Sequence, residues 1–221
     1  MGCFIIVTAG WILSVCLHEF GHAWVAWRGG DYTVRDKGYL TLNPFRYLHP
    51  VYSVVMPVVF LLLGGIGMPG GAVYINHALL RSKNWDMAVS LAGPAMNLAL
   101  IIVLGLCFRA GVIPNDPSNV ISVSMAFLLH LQASALLLNL LPVPPLDGFQ
   151  AIAPWLPQHI RQSAYQFGNT AQLILFVVLW NDNPVREAFW SAVSTISTAA
   201  GVEPWLIARG YRSFAFWRYA S

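Results

Sequence analysis

The stretch SVCLHEFGHAWVAW, residues 14–27, places two histidines and a glutamate inside a run of apolar side chains. The rest of the chain is similarly apolar: hydrophobic residues make up 57% of the 221 positions and charged residues only 10%. A soluble domain carries about 25% charged residues, so long uncharged runs indicate an integral membrane protein. Ionisable groups inside such a segment are costly and usually functional. The three polar residues are therefore candidates for a functional site.

Six apolar segments predict the helices of the fold. Three of them reach the about 20 residues that a spanning helix needs, namely 3–27, 87–106 and 120–141. Three are shorter or weaker, namely 51–66, 164–180 and 188–208. The predicted fold is an all-α polytopic membrane protein with about five to six transmembrane helices. We expect a single membrane-embedded domain over residues 1–221, with a core at about 3–150 and C-terminal helices and an interfacial tail at 158–221.

The pentapeptide HEFGH, residues 18–22, matches the pattern HExxH through His18, Glu19 and His22. On a helix, positions i and i+4 share one face about one turn apart. Two neutral imidazoles so placed can bind one Zn²⁺, and the adjacent glutamate can act on a water activated by the metal. The alternative is that all three are satisfied polar residues in the core of a helical bundle.

A catalytic zinc site needs a third protein ligand and one open position. Between Asp116 and Arg161 the only formally charged residue is Asp147, which follows an apolar run in NLLPVPPLDG, residues 139–148. An aspartate before a glycine can also belong to a turn, but with HExxH present Asp147 is the predicted third ligand. His130 would lie roughly 25 Å from Asp147 along a helix, and a polar-packing role is predicted for it.

A shared metal constrains how the chain crosses the membrane. HExxH lies in the C-terminal half of the first span and Asp147 follows the fourth segment, so these two helices must run in the same direction. The chain then crosses back an odd number of times between Trp27 and Val120. The short segment 51–66, interrupted by Pro57 and nearby glycines, is therefore predicted to be a re-entrant or β-hairpin element near the active site. Residues 70–76 are expected to line that site.

Positive charges provide a second test of this topology. If the last segment also spans, only Arg109 and Arg186 fall on the face opposite the metal, which leaves ten of the 12 Lys and Arg residues on the metal side. The positive-inside rule then places the metal towards the cytoplasmic face and the N-terminus outside. The formal net charge of only +3 gives no reason to expect nucleic acid as a partner.

Three motifs in this order resemble those of the site-2 protease family of intramembrane zinc metalloproteases. They are HExxH at 18–22, GPxxN at 93–97 and NxxPxPxLDG at 139–148. The stretch DKGYLTLNPFRYLHP, residues 36–50, is similar to the compact prokaryotic subgroup that lacks a PDZ domain. The resemblance covers about residues 13–150. Where close relatives of this type often have a Pro-Val-Pro-like stretch, this chain has GGAVYINHALL, a difference that concerns how the substrate is held.

The resemblance implies roles for individual residues. His18, His22 and Asp147 would bind one zinc ion per chain, and Glu19 would be the catalytic base. Asn97 and Asn139 fall on positions associated with the active site and are candidates for oxyanion or substrate binding, although a buried asparagine can also tie helices together.

The resemblance also implies the activity and its setting. The expected reaction is hydrolysis of peptide bonds within or near transmembrane segments, as in regulated intramembrane proteolysis. The expected partners are transmembrane or signal-peptide-like substrates and the lipid bilayer, and the expected location is a prokaryotic inner membrane. An extended substrate would pair with a backbone edge at residues 72–76.

Other interpretations remain open at this point. A catalytically inactive pseudoprotease that binds membrane helices would have no need of Glu19. Another type of membrane zinc peptidase would take Glu187 or Glu203 as its third ligand. A di-iron oxygenase would need more clustered histidines than the six present, and a transporter would be expected to show half-repeat symmetry. The substrate, the oligomeric state and the spanning of segment 188–208 are left open by the sequence.

Overall fold

A computed structural model describes residues 1–43 and 73–218. Within these residues the regular structure is helical, and the α-helices follow in the order α1 (Gly2–Gly29), α2 (Thr33–Asp36), α3 (Lys83–Arg109), α4 (Val120–Leu140), α5 (Asp147–Ile152), α6 (Gln158–Gln166), α7 (Gly168–Trp180), α8 (Pro184–Ala199) and α9 (Pro204–Phe214). Short 3₁₀ turns lie at His77–Leu79, Ala153–Trp155 and Phe216–Arg218. The all-α prediction is confirmed for the described residues. The predicted re-entrant segment, residues 51–66, lies outside them.

Among the described residues, three helices are long and apolar enough to cross a membrane: α1 with 28 residues, α3 with 27 and α4 with 21. At a rise of about 1.5 Å per residue, even α4 spans about 30 Å, the thickness of the hydrocarbon core. The apolar α7 is shorter, with 13 residues. These helices identify a membrane protein, whereas the predicted number of five to six spans stays a prediction.

Polar residues at the helix ends explain where the long helices begin and stop. Ser82 accepts a hydrogen bond from the Trp85 amide at the start of α3, and Asn119 caps the start of α4 through two amides. These side chains satisfy amides that the first helical turn leaves unpaired. Helix α1 stops at Gly30, whose φ of 119° lies in the left-handed region that a glycine adopts without steric cost.

The three long helices pack with α4 at the centre. In the most apolar stretch of each helix, 72% of the residues are buried in α4, against 44% in α1 and 39% in α3. A Cβ at Gly10 of α1 would contact Leu128 of α4, and one turn further along both helices Ser14 bonds to Gln132. The helices α1 and α4 therefore run in the same direction, as predicted.

The C-terminal helices cover the other side of α4. A Cβ at Gly210 of α9 would overlap the Val123 carbonyl oxygen of α4, so the two backbones touch. Phe214 of α9 stacks on Phe4 of α1 at 5.3 Å between ring centroids. The weak apolar segment 188–208 is not one continuous helix, because the chain turns at Gly201 (φ 96°) and restarts at Pro204.

Candidate metal centre

His18 and His22 lie one turn apart on α1 and point to a common centre. Their Nε2 atoms are 3.1 Å apart, and both residues are buried. Asp147 meets them from the start of α5, with Oδ2 3.2 Å from His18 Nε2 and Oδ1 3.5 Å from His22 Nε2. The potential ligand atoms of all three residues lie within 4.8 Å of one another. The structure thus brings together the three residues that the sequence singled out as metal ligands.

The chain between α4 and α5 folds back to carry Asp147 inwards. Helix α4 ends at Leu140, and the prolines that follow lack the amide hydrogen that a further helical turn would use. Helix α5 then begins at Asp147 itself. Gly148 permits this reversal, because a Cβ there would lie 2.6 Å from the Leu141 carbonyl oxygen and would also overlap the end of α4.

The second nitrogen of each histidine bonds to an oxygen on α3. His22 Nδ1 lies 2.7 Å from the Val89 carbonyl oxygen, and His18 Nδ1 lies 2.7 Å from Asn97 Oδ1. A carbonyl oxygen only accepts, so each Nδ1 carries the hydrogen and donates it. In a neutral imidazole Nε2 is then left with a bare lone pair, as a metal ligand requires.

The arrangement of these atoms fits a cation. The two bare Nε2 lone pairs face each other. Among the described residues Asp147 Oδ2 is buried without a hydrogen-bond partner, since neither Nε2 has a hydrogen to donate to it. Gly93 leaves the space beside them open: a Cβ there would lie 2.5 Å from His18 Nε2 and would also overlap His22 Nε2. Two imidazoles and one carboxylate are a ligand set that suits zinc.

Glu19 lies beside the ligands and faces the same cavity. The cavity has a volume of about 280 Å³ and is lined by the ligands, Glu19 and Asn139 among others. The Glu19 carboxylate is buried and its Oε2 accepts a hydrogen bond of 3.1 Å from the Val73 amide. Its position next to the potential ligands is the one that the HExxH pattern predicts for an acid–base group.

The segment formed by residues 73–76 has no regular secondary structure, borders the cavity through Val73 and Ile75, and is held at both ends. Val73 donates to Glu19, and the Asn76 amide donates to Asp31 Oδ2 at 2.7 Å. Asp31 is fully buried, and its other oxygen accepts from the amide and hydroxyl of Thr33. Our sequence reasoning missed Asp31; an aspartate two residues before a threonine, directly after a helix-ending glycine, is the turn signal that could have drawn attention to it.

The two predicted asparagines occupy different places. Asn139 lines the cavity in front of the ligands. Asn97 lies behind His18, where Oδ1 contacts His18 and Nδ2 donates to Gln132 Oε1 at 2.8 Å. Gln132, which the sequence reasoning did not single out, is fully buried in α4. The available signal in the sequence was a polar side chain within an apolar run.

Comparisons with known proteins agree with this geometry. "Putative zinc metalloprotease Rip2" of Mycolicibacterium smegmatis is 43% identical over 221 residues, which cover 98% of this chain and 82% of the relative. The chain belongs to the site-2 protease family. Within this family, the Rip2 protein of Mycobacterium tuberculosis is also 43% identical, over 220 residues. "Putative zinc metalloprotease YwhC" of Bacillus subtilis is 30% identical over 184 residues, which cover 76% of this chain and 81% of the relative.

No family model matches the chain, and no solved structure matches it. The names of the relatives in the site-2 protease family support a metalloprotease and imply zinc as its metal. The residues that converge at the end of α4 are suited to that metal.

Proposed function

We propose that the protein is an intramembrane zinc metalloprotease that hydrolyses peptide bonds within or near transmembrane segments of membrane-protein substrates. The observation that carries the proposal is the convergence of His18, His22 and Asp147 beside the buried Glu19. This convergence takes place among helices that are long and apolar enough to cross a membrane. A carboxylate and two imidazoles at such a place are costly unless they serve a function.

His18, His22 and Asp147 would hold one zinc ion per chain. Bound zinc supplies Lewis-acid chemistry, which lowers the pKa of a water towards 7 and polarises a peptide carbonyl. Glu19 accepts a proton from the attacking water and later delivers it to the leaving amine. The Val73 amide, 3.1 Å from Oε2, keeps the Glu19 carboxylate oriented towards the cavity.

Of the two asparagines, Asn139 is the better placed to donate a hydrogen bond to the developing oxyanion. It lines the cavity together with Glu19 and Asp147. The Asn97 amide is engaged with His18 and Gln132 on the far side of the ligand, so its contacts favour a positioning role.

The substrate must be extended at the cleavage point, since a helix keeps its carbonyl groups in internal hydrogen bonds. We propose that it pairs with the backbone edge at residues 72–76, of which residues 73–76 are described and are not helical. The Val73 and Asn76 amides already bond to Glu19 and Asp31, so the pairing would use the backbone of Tyr74 and Ile75. Segments with helix-breaking residues, in transmembrane or signal-peptide-like substrates, would therefore be cleaved best.

The parallel course of α1 and α4, together with the distribution of positive charges, supports an orientation in a prokaryotic inner membrane. The active site would open towards the cytoplasmic face and the N-terminus would lie outside. Attachment of a cysteine-reactive, membrane-impermeant label to a cysteine added at either terminus of the chain would check this orientation.

The test compares the wild-type protein with Glu19→Gln on a single-span reporter substrate in proteoliposomes. We expect Glu19→Gln to retain zinc and to lose about 10²- to 10⁴-fold in cleavage rate, the usual contribution of a general acid–base group. Glu203→Gln, which removes a carboxylate at the start of α9, is the control and should cleave normally.

Retained cleavage by Glu19→Gln would contradict the assigned role. A wild-type protein that binds zinc and membrane helices but cleaves none of a panel of single-span substrates would instead favour the alternative of a catalytically inactive helix-binding pseudoprotease. The intact Glu19 beside the potential ligands does not favour that alternative.

A further inference from the structure

A chain of four buried hydrogen bonds runs from the backbone of α1 through α4 and α3 and back to α1. The Ser14 hydroxyl lies 2.7 Å from the Trp11 carbonyl oxygen, and Gln132 Nε2 lies 2.9 Å from Ser14 Oγ. Gln132 Oε1 lies 2.8 Å from Asn97 Nδ2, and Asn97 Oδ1 lies 2.7 Å from His18 Nδ1. All three linking side chains are buried, so water does not compete for these bonds.

The Trp11 carbonyl fixes the direction of every bond in this chain. Because a carbonyl only accepts, the single hydroxyl hydrogen of Ser14 is donated to it, and Ser14 can only accept from Gln132. Gln132 must then turn its NH₂ group towards Ser14 and its oxygen towards Asn97. Asn97 in turn gives its NH₂ group to Gln132 and its oxygen to His18. Amide orientations are otherwise ambiguous, and the backbone anchor removes that ambiguity here.

The last bond of the chain decides the tautomer of His18. An oxygen at Asn97 requires a hydrogen on His18 Nδ1, which leaves the lone pair on Nε2, the atom that faces Asp147 and His22. If the Asn97 amide rotated by half a turn, its NH₂ group would face Nδ1. The hydrogen would then move to Nε2, where it blocks a metal. His22 needs no such chain, because its Nδ1 bonds directly to the Val89 carbonyl.

We propose that Gln132, itself held by Ser14, is a positioning residue for the metal centre. It keeps the Asn97 amide in the one orientation that leaves His18 Nε2 free to bind zinc. An amide suits this place because it accepts at one end and donates at the other. The direction of hydrogen bonding that the Trp11 carbonyl imposes on Ser14 is therefore also imposed on Asn97. This inference rests on the proposed function for the identity of the metal, but not for the tautomer.

A purely structural role for Gln132 makes different predictions. A buried amide can tie helices together, and its loss would then lower thermal stability without changing the metal affinity of the folded protein. The discriminating quantities are therefore the zinc affinity of the folded chain and the position of the ring hydrogen on His18.

The main variant is Gln132→Met, which keeps a similar volume and removes both polar ends. We expect the zinc affinity of the purified full chain, measured by competition with a chelating indicator, to fall about tenfold, the low end of the range for residues that orient a metal ligand. Ser14→Ala removes the anchor with little change in volume and should weaken zinc binding in the same direction. In Gln132→Glu a carboxylate oxygen still accepts from Asn97, and the Ser14 hydroxyl can turn its one hydrogen from the Trp11 carbonyl to the other oxygen. Asn97 therefore stays oriented, and zinc affinity should recover relative to Gln132→Met.

The matched control is Ser197→Ala, which removes a partly buried hydrogen bond between α4 and α8 that does not lead to a ligand. Its zinc affinity should equal that of the wild type. An equal zinc affinity in Gln132→Met, accompanied by a lower Tm, would overturn the proposal and leave Gln132 with a helix-tying role.

The tautomer is measured directly by ¹⁵N NMR of the histidine ring nitrogens in the zinc-free full chain. The expected result is a hydrogen on His18 Nδ1 in the wild type and a mixture of both tautomers in Gln132→Met. An unchanged tautomer in Gln132→Met would also overturn the proposal. A wild type that binds no zinc would contradict the proposed function, and the NMR result would still decide the role of Gln132.

Discussion

Two polar residues of α4, His130 and Gln132, lie two positions apart and face different neighbours. His130 faces α8, where its Nδ1 lies 3.1 Å from Ser197 Oγ and its ring stacks on Trp190 at 5.9 Å between centroids. Gln132 faces α1 and α3, where it bonds to Ser14 and Asn97. Both networks end on a backbone carbonyl, because Ser197 donates to the Val193 oxygen at 2.9 Å and Ser14 donates to the Trp11 oxygen.

The two networks differ at their other ends. The Gln132 network leads to His18 Nε2, which faces acceptor atoms of His22 and Asp147 and, in the described part of the chain, no hydrogen-bond donor. Over residues 1–43 and 73–218, these three form the one group of His, Cys, Asp or Glu side chains that could hold a metal, and His130 is not part of it. The polarity of a residue in an apolar helix is thus not sufficient to indicate a function. A metal site is indicated where several hydrogen-bond acceptors converge without a donor between them.

Among the variants that distinguish the metal centre at the end of the Gln132 network from the His130 network, Gly93→Ala should have the largest effect on zinc content and cleavage. The added methyl group would lie 2.5 Å from His18 Nε2 and overlap His22 Nε2, so it would occupy the space that the metal needs. We expect zinc content and cleavage to fall to background, measured by metal analysis and with a reporter substrate.

The matched control is Gly105→Ala on the same helix. Its Cβ would lie 2.7 Å from the Ala200 carbonyl oxygen, which crowds the contact with the C-terminal helices at a cost of about 1–3 kcal/mol and leaves the ligands untouched. Equal loss of zinc in both variants would mean that crowding of α3 at any position disrupts the centre.

A smaller effect is expected from Ser197→Ala on the His130 side. Loss of the partly buried His130–Ser197 hydrogen bond between α4 and α8 should cost about 0.5–1.5 kcal/mol of stability, seen as a lower Tm in detergent. Cleavage and zinc content should stay at the wild-type level. Loss of zinc from this variant would remove the distinction between the two networks.

The smallest effect concerns His77, which lies outside the long helices and beside the cavity. Its Nδ1 is 2.6 Å from Asp86 Oδ1, and this hydrogen bond raises the pKa of His77 above its ordinary value of 6.5. A raised pKa contributes stability that is fully present below pH 6.5 and is lost as the pH rises through the higher folded-state pKa. Because the His77 side chain is 49% exposed, the contribution should stay below about 1 kcal/mol.

Replacement of His77 by glutamine should therefore lower the Tm at about pH 6 and have little effect at about pH 9. His159→Gln is the control, because it removes an exposed histidine from α6 and leaves the pair intact. A Tm difference for His77→Gln that is constant with pH would show that the pair does not stabilise the protein through its charge.

The sequence predicted the parts of this account that depend on local spacing. HExxH placed His18 and His22 on one face of a helix, and the isolated charge of Asp147 predicted its position beside them. The requirement that α1 and α4 run in the same direction then followed, and the structure confirms it. The polar-packing role predicted for His130 is also confirmed by its contacts with Ser197 and Trp190.

The hydrogen bonds that the sequence did not predict join residues that are distant in the chain. Ser14 and Gln132 are 118 positions apart, and His18 and Asn97 are 79 positions apart. No local sequence pattern therefore predicts these contacts. Hydropathy marks how long a helix is but not which face bonds to which neighbour. For the same reason the turn at Gly201, which divides the last apolar segment, was not predicted from its mean hydropathy.

The most direct test of the central claim is the zinc content per chain of purified wild-type protein, Asp147→Ala and Glu19→Gln. The three-ligand site predicts about one zinc ion per chain in the wild type and in Glu19→Gln, and a loss of zinc in Asp147→Ala. Zinc binding that survives the Asp147→Ala substitution would contradict the assignment of the third ligand. A wild type that takes up no zinc even after refilling would contradict the metal centre itself.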